Sequence, residues 1–135
     1  MEYWIWLSLL PYIGPVTANR LLEQFDNPSR VYHADISELV KVKGITDRQV
    51  RSIADNKSLD RIWKLMDSCE QNDISVLLKN DVRYPKYAKI LEDAPIVMYY
   101  KGHFHNMKKP VAVVGARKCE YSCTGVPLFR RNGNR

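Results

Sequence analysis

The residues of this chain best suited to chemistry lie in "KPVAVVGARK", Lys109 to Lys118. An apolar run ends at Val114, and Gly115 permits a sharp turn off the end of a strand. Ala116 follows, then Arg117 and Lys118. A guanidinium can fork two N–H donors onto a phosphate, and an ammonium beside it acts as a point charge. Open α/β sheets bind their ligands at the carboxyl ends of strands, where such a turn would lie. Lys108 and Lys109 precede the run and could extend a phosphate track or simply flank the strand. The stretch is neither G-x-G-x-x-G nor a Walker loop with its Lys-Ser/Thr. Mononucleotide binding here would require specific affinity with little salt dependence.

Other reactive side chains form weaker patterns. His103, His105, Cys119 and Cys123 give H-x-H and C-x3-C spacings without the C-x2-C framework of a zinc site, so ordinary histidines and thiols are expected. Trp4, Trp6 and Trp63 could stack bases, but their helical settings favour core packing. No nucleophile or acid–base pair has a supporting motif. The expectation is a binding protein with no catalytic residues, no metal and no cofactor.

Two kinds of element must position these groups. From residue 2 to about 72 the apolar spacing is helical, with Ile62, Leu65, Met66 and Cys69 keeping a three-four period. Asp35 with Glu38 and Thr46 with Gln49 have capping-box spacing, Pro15 suits a first helical position, and Ser58 can cap the helix carrying Trp63. Beyond residue 72 come short β-branched or aromatic runs, "ISVLL" (74–78), "IVMYY" (96–100) and "VAVV" (111–114). Pro85 and Pro95 bracket a short helix containing Tyr87, Ile90 and Leu91, and Tyr84-Pro85 reads as a fixed turn. Strand, helix, strand, connection, strand is an α/β rhythm.

Charge divides the chain in the same sense. Residues 1–60 hold seven Lys/Arg and eight Asp/Glu, whereas 61–135 hold fourteen and seven. A basic half suits a polyanion, and equally a solvated tail. The apolar N-terminus carries Glu2 in place of a basic n-region and breaks at Pro11, so neither a secretory signal nor a membrane span is expected. Three unframed cysteines fit a reducing compartment, the cytoplasm.

The helical half contains a repeat. "PYIGPVTANRLLEQF" and "VKGITDRQVRSIADN" superpose with Tyr12 on Gly44, Ile13 on Ile45, Gly14 on Thr46 and Ala18 on Val50. Each copy is a helix, a tight apolar-glycine turn and a second helix, the helix-hairpin-helix pattern. Turn glycines allow backbone N–H groups to approach a phosphate, and the next helix N-terminus adds its positive dipole end. Each copy keeps one of the pattern's two glycines, Gly14 or Gly44, and Tyr12 places a side chain where close approach is wanted. Direct nucleic-acid contact and a purely packing or protein-contact role both remain open for these turns.

Taken in order, "LSLLPYIGPVTANRLLEQF", "ISVLLKNDVRYPKYAKILEDAPIVMYYKG" and "KKPVAVVGARK" resemble the DprA/Smf DNA-processing family over about residues 4–121. The resemblance implies an α+β chain in two parts. An all-α helix-hairpin-helix, SAM-like domain (1–72) precedes the first strands of a Rossmann-like α/β domain (73–125), with an atypical tail at 126–135. It also implies single-stranded DNA binding and protection in natural transformation, a RecA-type recombinase as partner, and Arg117 as a phosphate contact. The family's Tyr-Gly after the arginine is absent, since Ser122 follows Tyr121, and "VPLFRRNGNR" does not resemble the family's continuation. The Rossmann-like part is thus expected to be truncated. Strand 111–114 would keep an open apolar edge that invites a homodimer. The alternative is a helical protein-interaction module with no DNA function.

Overall fold

The computed structural model describes residues 1–103. Its elements, in order, are α1 (Glu2–Leu9), α2 (Pro15–Phe25), α3 (Pro28–His33), α4 (Ile36–Leu39), α5 (Asp47–Asp55), α6 (Asp60–Gln71), β1 (Ile74–Leu78), α7 (Lys86–Lys89) and β2 (Val97–Lys101). Run 111–114 lies outside the described residues. The described part is helical first and then carries a small two-stranded sheet, an α+β arrangement.

The helix starts follow their local chemistry. Pro15 opens α2, where its missing N–H costs nothing. Thr46 caps α5: its Oγ1 accepts from the Gln49 N–H at 3.4 Å, while the Thr46 N–H donates to Gln49 Oε1 at 3.0 Å. The Asp35 N–H donates to Glu38 Oε2 at 3.0 Å, closing the same device at α4. Ser58 Oγ accepts from the Asp60 N–H at 3.3 Å at the start of α6. Asn27, at the head of α3, accepts from the Arg30 N–H at 3.0 Å.

One apolar core joins these pieces. It runs from Ile5, Trp6 and Leu7 on α1 through Leu21, Val31, Leu39 and Ile53 to Ile96 and Val97 at β2. Trp4 packs against this core and Trp6 lies within it, its Nε1 donating to the Asn56 carbonyl at 2.6 Å. Trp63 departs from expectation, being 52% exposed. On α6 the buried stripe passes through Ile62 and Cys69, and Trp63 stands about 100° around the helix from Ile62.

The strand–helix–strand rhythm at 74–101 does not produce a parallel crossover. β1 and β2 pair antiparallel, Ile74 opposite Lys101 and Leu78 opposite Val97. A parallel connection requires a helix long enough to cross back over the sheet, and α7 has only four residues. The connection folds on itself instead. Tyr84, nearly fully buried, donates its hydroxyl to the Pro95 carbonyl at 2.8 Å, so the Tyr84-Pro85 turn also clamps the connection's far end.

The connection is fastened to the helices by Asn19 of α2. Its Nδ2 donates to the carbonyls of Glu92 and Ala94, each at 2.9 Å, and its Oδ1 accepts from Lys79 Nζ at 2.8 Å. The change from helix to strand falls at 72–73, but packing continues across it.

Candidate nucleic-acid interface

Six of the sequence-derived site residues, Lys108, Lys109, Gly115, Ala116, Arg117 and Lys118, lie outside the described residues. So do His105, Cys119 and Cys123; His103 is described. Among the described residues no cluster of three or more His, Cys, Asp or Glu is placed to hold a metal, and no helix is long and apolar enough to cross a membrane. The described candidates are the two hairpin turns.

These turns are built alike. Tyr12 and Gly44 both take positive φ, 66° and 78°. Ile13 is buried and Ile45 packs against the core. Gly14 and Thr46 are the extended N-caps of α2 and α5. Ala18 and Val50, one turn further on, are buried. The left-handed region suits glycine at position 44, whereas a tyrosine held there stores strain of roughly 1–2 kcal/mol.

The two copies also grip each other reciprocally. In turn 1 the Pro11 carbonyl accepts from Ser52 Oγ of α5 at 2.6 Å, and the Tyr12 carbonyl accepts from Gln49 Nε2 at 3.0 Å. In turn 2 the guanidinium of Arg20, from α2, lies against Gly44, where an added Cβ would sit 2.7 Å from its Nη1. Arg20 and Ser52 are equivalent positions of the repeat, as are Thr17 and Gln49. Gln49 Nε2 donates to Thr17 Oγ1 at 3.1 Å, so a residue meets its own counterpart there. Such exchange of equivalent contacts marks an approximate twofold relation inside one chain.

An open cleft accompanies each turn, and the two clefts correspond. Lys43, Gly44, Arg20, Glu23 and Gln24 line one; Pro11, Tyr12, Ser52, Asp55 and Asn56, their repeat equivalents, help line the other. The cleft at turn 1 measures about 540 Å³ and adds Asp47, Arg48 and Arg51. There the Arg48 guanidinium carbon lies 3.6 Å from the centroid of the Tyr12 ring.

The chemistry of the two turns differs. At turn 2 the Thr46 N–H is taken by Gln49, and Asp47 stands in the first turn of α5, which disfavours an anion. At turn 1 no acidic residue lies in the first turn of α2. Gly14 has ordinary φ there, and a Cβ on it would meet open space. Several other described cations are engaged: Arg30 with Asp26, Lys79 with Asn19, and Arg83 with Asp81, which holds the Asp81 carboxyl down at about 2.

The sequence does not single out Arg20, Arg48 or Ser52, and marks Gln49 only as the capping partner of Thr46. Extending the repeat alignment past the turns would have paired Arg20 with Ser52 and Thr17 with Gln49. The Tyr12–Arg48 stack has no such signal, because those residues are apart in sequence and meet only through the twofold packing.

Comparison with known proteins agrees with this architecture. Residues 7–56 match the SAM-like helix-hairpin-helix tandem, and residues 75–126 match the family of DNA recombination-mediator protein A. A curated relative, Protein Smf of Synechocystis sp., is 23% identical over 120 residues, covering 85% of this chain and 30% of the relative. No solved structure matches the chain at comparable significance. The chain is thus similar to the DprA/Smf proteins, through the recombination-mediator match over 75–126 and the resemblance to Protein Smf. It spans about 30% of the length of the curated relative that it matches.

Proposed function

We propose that this chain is a DNA-binding element of DNA processing in recombination and natural transformation, acting in the cytoplasm on single-stranded DNA. The observation that carries the reading is the match to DNA recombination-mediator protein A over 75–126, a span containing Gly115, Arg117 and Lys118 within the basic half. In this reading Arg117 takes a backbone phosphate bidentately, and Lys118, Lys108 and Lys109 supply further positive charge along the strand. The role is binding and protection rather than catalysis. A RecA-type recombinase and a second copy of the chain are the partners that go with it.

The test is titration of a fluorescein-labelled single-stranded oligonucleotide with the full chain and with Arg117→Ala, at low and near-physiological salt. Wild-type binding should be outcompeted by unlabelled single strand but not by duplex. It should weaken roughly 10- to 100-fold in the variant, as for loss of a charged hydrogen-bond pair. Weak binding that disappears with salt and ignores Arg117 would overturn the reading.

A second reading, the helical part as a protein-contact module, is favoured by turn 2, where Gln49 occupies the Thr46 N–H and Asp47 guards the helix start. It predicts partner binding that is indifferent to Arg117.

A further inference from the structure

We propose that Tyr12 is a stacking platform for one nucleobase of a single-stranded nucleic acid, a contact additional to those assigned to Gly115–Lys118. The inference rests on the single-stranded-DNA reading above and deepens it by assigning a second contact.

Three observations converge on the ring. Tyr12 is 57% exposed although it sits in a turn fastened on both sides, through the carbonyls of Pro11 and Tyr12, to Ser52 and Gln49 of α5. Its backbone is held at φ 66°, where the other copy of the repeat has glycine. A strained backbone persists only where its surroundings over-determine it, and such outliers gather at binding sites. Finally, the Arg48 guanidinium covers one face of the ring at 3.6 Å, fixing its plane while more than half of the residue stays open to solvent. A cation on one face draws electron density away from the other, which favours stacking by an electron-rich heterocycle.

The walls of the cleft are polar. Asp47, Arg51 and Asp55 present acceptors and donors suited to the polar edge of a base rather than to an aliphatic side chain. Arg48 and Arg51 balance Asp47 and Asp55, so this cleft has little pull on a polyanion. The contribution made here is therefore stacking, which is nearly independent of salt, unlike the phosphate contacts, whose affinity falls steeply as salt rises.

The experiment places 2-aminopurine, whose fluorescence is quenched when it stacks on an aromatic ring, in a short single-stranded oligonucleotide. Anisotropy of an end label reports total binding in parallel. With this chain, quenching per bound oligonucleotide, at protein concentrations that restore the anisotropy change, should be unaltered by salt, survive in Tyr12→Phe and in Arg117→Ala, and vanish in Tyr12→Gly. Affinity in Tyr12→Gly should fall roughly 5- to 100-fold, the range for loss of one stacked base. Tyr12→Asn, which also tolerates positive φ, should behave like Tyr12→Gly and guards against a folding artefact of either variant. Unchanged quenching and affinity in both variants would overturn the platform. Wild-type binding without quenching would overturn it too, yet leave the single-stranded-DNA reading standing. No wild-type binding at all would remove both.

Discussion

Tyr84 shows how one side chain can do two jobs that its sequence context separates. Next to Pro85 it reads as a turn residue, but its hydroxyl reaches the Pro95 carbonyl from a nearly fully buried ring. Burial also pushes that hydroxyl's pKa up from its usual value. Because the folded state holds the proton more tightly than the unfolded chain, this contribution is intact below about pH 10 and is lost as pH rises through the folded value. Tyr84→Phe should cost about 1–2 kcal/mol by urea unfolding, since the ring still fills its space while a buried carbonyl loses its donor. A variant as stable as the parent would show that the hydroxyl is incidental to the clamp.

At the scale of elements, the hairpin turns carry the clearest test. Gly44→Ala meets two obstacles, a left-handed backbone and a Cβ placed 2.7 Å from Arg20 Nη1. The expected loss is about 1–2 kcal/mol from the backbone alone, read from the urea midpoint. Arg20→Ala in the same background should recover only the steric part. The sequence displayed much at this scale. Asp35–Glu38 and Thr46–Gln49 marked helix starts because capping chemistry is local, and the repeat showed the turns because only a few backbone paths link two antiparallel helices. What stayed hidden is non-local. The antiparallel pairing of β1 with β2 depends on how the 79–96 connection folds back, and no residue within either strand encodes that. Trp63 is exposed rather than packed because an aromatic on an amphipathic helix can fall just off the buried stripe. The Tyr12–Arg48 stack requires both copies of the repeat to be docked before it exists.

For the whole molecule, the decisive feature is the core running from Ile5 to Val97, latched by Asn19. Helices and sheet should unfold in one transition, with far-UV circular dichroism and tyrosine/tryptophan fluorescence giving the same urea midpoint. Asn19→Ala should lower that shared midpoint by about 2–3 kcal/mol, because two carbonyls and an ammonium lose their partner. Separate transitions, with the strands lost first, would make residue 72 a folding boundary as well as a change of secondary structure. The internal twofold has one more consequence. Two identical turns would look the same to a linear polymer entering from either end. With an exposed ring at position 12 and a glycine covered by the Arg20 guanidinium at 44, the two turns present different chemistry. Divergence of the copies thus makes the two ends of this surface chemically distinguishable, which two identical turns would not be.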